Sequence, residues 1–152
     1  MDDYGTHTFD ALDKKTTVSD GGTAVPFFPQ AVSAEFSSGS PDSEERAMDL
    51  HRYIIKHPAS TFFVRAQGDG MRDAHILAGD LLVVDRSLEV KNGRVVVACM
   101  NGEFLVRRFD RYGGRVVLST QSRDTQSITV TPADEFFIWG VVTYIIHKTV
   151  GA

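Results

Sequence analysis

Hydrophobic and polar positions follow two different periods along the chain, with a change near Pro58. Before it, Ala47, Leu50, Tyr53 and Ile54 recur at three- and four-residue spacing, as one face of a helix requires. Ser43, followed by Glu44 and Glu45, offers a capping hydroxyl and acids at the positive end of the dipole, and Pro58 offers a stop. A short helix is predicted there. Beyond it, Thr61–Ala66, Leu81–Asp85, Arg94–Met100, Glu103–Asp110, Arg115–Thr120, Ser127–Thr131 and Phe136–His147 are rich in Val, Ile, Phe and Thr and are separated by Gly, Asn, Asp and Pro. These read as strands. Asn101-Gly102 between two such runs predicts a type I′ hairpin, because both turn residues tolerate positive φ. Arg111-Tyr112-Gly113-Gly114 predicts a second turn and hence a meander. Gly140, inside the last run, predicts a bulge or sharp bend that lets one long strand serve two sheets or continue around a barrel.

Residues 1–43 carry neither period over a useful length and are punctuated by Gly21-Gly22, Pro26, Pro29, Ser37-Ser38-Gly39-Ser40 and Pro41. They read as a flexible or docking arm ahead of a body at 44–152. Val25, Phe27, Phe28, Ala31, Val32 and Phe36 form an apolar island in the arm that suits docking better than a free linker. Charge divides at the same place. The arm holds seven acids against Lys14 and Lys15, whereas the body, with thirteen acids and fourteen bases, is close to neutral. A body without excess positive charge is not built to neutralise phosphates, so direct sequence-specific DNA binding is not expected. One cysteine, Cys99, cannot form an internal disulfide, and no signal-peptide pattern or apolar run of membrane-spanning length is present. A cytoplasmic protein without a membrane segment is expected.

Five histidines and Cys99 lack the spacing of a metal-ligand set, and Gly68-Asp69-Gly70 with Asp73 fails the alternation of a calcium loop. Neither a metal nor another cofactor is expected. Alone, Gly68-Asp69-Gly70-Met71 reads as a turn. Its surroundings give it more meaning. The blocks Leu50–Pro58, Phe63–Met71, Gly79–Asp85, Gly102–Phe109 and Gly140–Val142, in this order and spacing, resemble the LexA/UmuD family of self-cleaving serine peptidases. The resemblance runs from Ala47 to Lys148, about two thirds of the chain. It implies a mainly β fold, an antiparallel LexA/UmuD-like (signal-peptidase-like) domain with one short helix and an extended N-terminal arm. The helix-turn-helix that precedes this domain in LexA does not match the acidic arm.

The family cuts itself with a serine nucleophile and a lysine general base. The family serine, between the aspartate and methionine of the loop formed here by Gly68, Asp69 and Met71, falls on Gly70. The lysine, 37 positions later, falls on Arg107. Glycine supplies no oxygen, and guanidinium stays protonated. The scissile bond, Ala-Gly or Cys-Gly in the family, falls on Ala34-Glu35, with a charged side chain in place of glycine. The resemblance therefore implies a homodimeric, non-cleaving member with an accessory role in the SOS response and error-prone (translesion) DNA synthesis. Its implied partners are an error-prone DNA polymerase subunit, the recombinase filament, and an active relative in a mixed dimer. Two alternatives stand beside this. One is an active peptidase using Ser60, Cys99 or a partner's hydroxyl; the other is a transcription-regulator-type dimerisation module. Two local expectations follow. The apolar run Phe136–Ile146 is an edge strand covered in a dimer, or a strand buried on both faces of one subunit. Ala34-Glu35 latches onto Arg107 through a charge pair, or Arg107 pairs with Glu103 or Asp110, or lies along the strand surface.

Overall fold

The period-two runs become one antiparallel sheet in the computed structural model, which describes residues 25–27, 46–124 and 126–151. The described residues fall into two compact units that meet in sequence between Lys56 and His57. In the first, β1 (Val25–Phe27) pairs antiparallel with β2 (Arg46–Met48), and helix α1 spans Leu50–Ile54. Two expectations are corrected here. Ala47 sits in a strand ladder and not on a helix face, because pairing with Pro26 extends the backbone at residues 46–48. The helix cap is Asp49, whose carboxylate accepts from the Arg52 amide at 3.2 Å, and the helix ends at Ile54, before Pro58. Pro58 instead opens a 3-10 turn over Pro58–Ser60, a position where its missing N–H costs no hydrogen bond.

The second unit holds β3 (Thr61–Arg65), β4 (Leu81–Asp85), β5 (Val95–Met100), β6 (Glu103–Tyr112), β7 (Arg115–Ser119), β8 (Ser127–Thr129) and β9 (Phe136–Ile146), in the sheet order β3-β4-β9-β5-β6-β7-β8. Strands β5 to β8 form the expected meander. Asn101 and Gly102 take φ of 52° and 81°, the conformation the type I′ turn demands. Val96 and Ala98 pack with Phe109, Leu118 and Val141, whereas Val97 packs with Val64, Leu82 and Val84. Alternate residues of β5 thus enter two separate cores, and its run of four buried residues follows from burial on both faces.

The expected edge position of β9 is also corrected. It lies inside the sheet, pairing with β5 through Phe136–Val141 and with β4 through Val141–Ile146. Its apolar length is used on two neighbours. The registers jump between Val97 and Ala98 and between Val83 and Val84, leaving Trp139 and Thr143 as the extra residues of β9. Gly140 therefore marks a bulge within one sheet. A Cβ there would lie 2.5 Å from Val84 Cγ1, so only glycine lets β9 approach β4 this closely. Trp139 receives the ring of Phe62 at 5.3 Å between centroids and the Arg86 guanidinium at 4.8 Å, which packs the bulge.

Candidate functional site: a cleft between β3 and β6

The second strand pairing of β6 is incomplete, and this opens the site. Among the described residues, strand β7 pairs only with Arg108–Tyr112, so the first half of β6 is paired with β5 alone. Strand β3 likewise pairs, among the described residues, with β4 alone. Val64–Gln67 and Phe104–Arg107 line the same cavity of about 270 Å³, together with Gly68, Gly70, Met71 and Ile76. Val64, Met71 and Ile76 also belong to the buried core, so the cavity has a fixed apolar floor.

The loop after β3 is held by backbone bonds. Gly68 takes φ of 75° to start the turn, a conformation that favours glycine. Asp69 accepts from the Arg72 amide at 3.2 Å and from its guanidinium at 3.3 Å. The Gly70 carbonyl accepts from the Gln121 amide at 2.8 Å, and the Asp73 amide donates to the Gln121 carbonyl at 2.6 Å. Met71 is buried beneath. Residues 68–71 are thereby clamped to the end of β7, and buried Thr120 is itself tied to Gln126 through its hydroxyl at 2.8 Å and 3.2 Å. Thr120 and Gln121 had no signal in the sequence, since they lie outside every motif and reach the loop only by folding.

Gly70 and Arg107 lie beside one another in the cleft. A Cβ built on Gly70 would lie 3.9 Å from Arg107 Nη1 and 3.5 Å from the Thr120 methyl. Arg107 is half-buried, its Nη1 donates to the Val106 carbonyl at 2.8 Å, and its Nε is buried with no hydrogen-bond partner. Burial holds its pKa below the ordinary arginine value, yet guanidinium remains the protonated species at physiological pH. The expected pairing with Glu103 or Asp110 is not present among the described residues; Asp110 accepts instead from the Gly93 amide at 3.0 Å. Ala34 and Glu35 lie outside the described residues.

The alternative nucleophiles are placed elsewhere. Cys99 is buried within β5 as a free thiol, the usual state of an inert structural cysteine. Ser60 ends the 3-10 turn before β3, and its hydroxyl is 3.4 Å from the His57 carbonyl. Neither lines the cavity.

Two histidine–aspartate pairs that sequence reasoning missed flank β4. His57 Nδ1 lies 2.6 Å from Asp85, and His147 Nδ1 lies 2.5 Å from Asp80, both carboxylates being buried. Burial alone would raise both carboxyl pKa values, but hydrogen bonds outweigh it and hold them below the ordinary value. For Asp80 these come from the Leu77 amide and His147, aided by the His147 charge; for Asp85 they come from Ser87 and His57, aided by the His57 charge. These pairs fasten the chain before β3 and after β9 to the ends of β4. Neither pair lines the cavity.

A pattern characteristic of peptidase S24-like proteins matches residues 26–143, more than half of the chain. The chain belongs to this family. Among S24-like relatives, protein MucA of Salmonella typhimurium is 40% identical over 122 residues, covering 80% of this chain and 83% of MucA. Protein ImpA of Shigella flexneri is 40% identical over 124 residues, covering 82% of this chain and 84% of ImpA. The LexA repressor of Idiomarina loihiensis is 35% identical over 118 residues, covering 75% of this chain but 58% of the repressor. The LexA/UmuD resemblance and the mainly β fold read from the sequence are thus both borne out. Among the described residues, no helix of this S24-like chain is long and apolar enough to cross a membrane.

Proposed function

We propose that the chain is a UmuD-like accessory protein of the SOS DNA-damage response and translesion synthesis that acts by binding as a homodimer and does not cut itself. The observation that carries this reading is Gly70 opposite Arg107. Where acyl transfer needs a nucleophilic oxygen within hydrogen-bond reach of a neutral base, the cleft presents a hydrogen atom and a half-buried guanidinium. The similarity to MucA and ImpA over most of each chain supports the mutagenesis branch. Exposed Phe137, Ile145 and Ile146 on β9 supply apolar surface for a dimer. The partners in this reading are an error-prone polymerase subunit, the recombinase filament and an active relative in a mixed dimer.

Mass spectrometry of the purified chain held at alkaline pH tests the first half of the reading. The intact mass is expected to persist, and self-cleavage at Ala34-Glu35 would overturn it. Light scattering at tens of micromolar tests the second half, and a monomer mass there would remove the dimer. Pull-down with the polymerase subunit separates the accessory role from a generic dimerisation module.

A further inference from the structure

The charges of the body nearly cancel in sum, but the fold sorts them. Between Arg86 and Arg115 the chain carries seven bases against Glu89, Glu103 and Asp110. Five of these bases meet at one end of the β5–β7 meander. The loop before β5 is tied to the end of β6: Arg108 Nη1 donates to the Gly93 carbonyl, the Phe109 amide to the Arg94 carbonyl at 2.8 Å, and the Arg111 amide to Asn92 Oδ1 at 2.8 Å. These bonds set Lys91 and Arg94 beside Arg108 and Arg111. Arg115 is then brought in by its pairing with Tyr112 across the Gly113-Gly114 turn. Arg108 is half-buried and the other four are exposed. None of the five forms an ion pair with a carboxylate of the described residues. Glu89 and Asp110 are the acids of this stretch, and Asp110 accepts from the Gly93 amide at 3.0 Å, so five bases against two acids leave an excess of three positive charges. Tyr112 stands among them, 64% exposed, more than any other aromatic ring of the described residues.

We propose that this corner is a binding surface for single-stranded nucleic acid, in which the cations hold backbone phosphates without regard to sequence and Tyr112 stacks on a base. The residue types define the ligand. Four of the five cations are arginine, whose planar fork takes the oxygens of a phosphate in pairs. An acidic peptide would engage the cations and leave the exposed ring unused, whereas an unpaired base offers the flat face that such a ring stacks on. A duplex keeps those faces covered. The chain's net charge of −4 opposes any polyanion, but at 0.1 M salt a charge is screened beyond about 10 Å, so the local excess outweighs the distant acids. The surface lies apart from Gly70 and includes neither cleft wall, and its failure would leave the non-cleaving reading standing.

The test uses the full chain and a fluorescein-labelled oligothymidylate of about twenty residues, followed by anisotropy. The dissociation constant is expected on the order of 10 μM at about 50 mM salt and should weaken roughly twentyfold at about 200 mM, as three phosphate contacts to a single strand require. Arg111→Glu combined with Arg115→Glu should weaken binding at least about tenfold and flatten the salt dependence. Arg123→Glu, beyond the opposite end of β7, should leave the affinity within about twofold. Tyr112→Ala should cost about fivefold, the loss of one stacked base. No change in anisotropy with the protein at about 100 μM and low salt overturns the proposal, as does unaltered binding by the Arg111→Glu, Arg115→Glu chain. Polyglutamate of matched charge is the second probe. Binding as tight as that of oligothymidylate, with Tyr112→Ala affecting neither, assigns the surface to an acidic protein segment and overturns the proposal. Should the double variant fail to fold, the Tyr112 ring resonances of the unaltered chain decide by NMR: they must shift with oligothymidylate, and unshifted resonances overturn the proposal.

Discussion

Gly70→Ser adds a hydroxyl oxygen beside Arg107 and nothing else, which makes it the most direct probe of the proposed non-cleaving reading. The backbone at Gly70 is outside the left-handed region, and the new Cβ would meet the Thr120 methyl at 3.5 Å and Arg107 Nη1 at 3.9 Å, both ordinary contacts. The serine should therefore fit without strain. Replacing glycine where the native conformation suits a side chain stabilises by about 0.4–1 kcal/mol through the unfolded state, so urea melts should show a midpoint unchanged or slightly raised. The hydroxyl oxygen stands roughly 1.4 Å beyond Cβ, near enough to hydrogen-bond the residue-107 nitrogen. Contact does not make a base. An ordinary arginine stays protonated in all but a trace of molecules at pH 10, whereas a lysine of pKa near 10.4 is neutral in roughly one in four. Burial moves Arg107 in the helpful direction, yet it starts about two pH units behind lysine. The assay is the intact mass after prolonged incubation at alkaline pH. Gly70→Ser and Arg107→Lys should each stay uncut, and any cutting should need both changes, with Glu35→Gly added to restore the scissile bond. Robust cleavage by Gly70→Ser alone would refute the account of Arg107.

Two further predictions concern the scaffold. Gly140→Ala places a methyl 2.5 Å from Val84 Cγ1 and 3.2 Å from Arg86 Cγ, so it should destabilise by about 1–3 kcal/mol in urea melts, as overpacking does; a loss below about 0.5 kcal/mol would show that β9 can retreat from β4. Asp80 and Asp85 have carboxyl pKa values held below the ordinary value in the folded state, so their stabilisation is complete above about pH 4 and is lost as pH falls through the folded values. Asp80→Asn, which replaces the carboxylate that accepts from the Leu77 amide and bonds His147, should lower neutral-pH stability by about 1–3 kcal/mol and flatten the acid limb of the stability curve; an unchanged acid limb would place the acid sensitivity elsewhere.

The β character, seven turn-bounded strands within a residue or two at each end, and the Asn101-Gly102 hairpin were legible in the sequence because each rests on local rules: side-chain period, β propensity and positive φ. So was the membership of the peptidase S24-like family, which rests on the order and spacing of the matching blocks. Helix α1 was misread at its start because Ala47 fits a helical period as well as an extended one, and pairing with Pro26 chose the second. The place of β9 was misread because an apolar run is the same whether it faces solvent at an edge or two neighbouring strands. What local rules cannot supply is adjacency between segments far apart in the chain. Tertiary structure alone set Thr120 against Gly70, joined His57 to Asp85 and His147 to Asp80, and left Arg107 half-buried in a cleft that no acid of the described residues lines. Each of those depends on which strand edges pair, a choice made by burial and hydrogen bonding summed over the whole sheet.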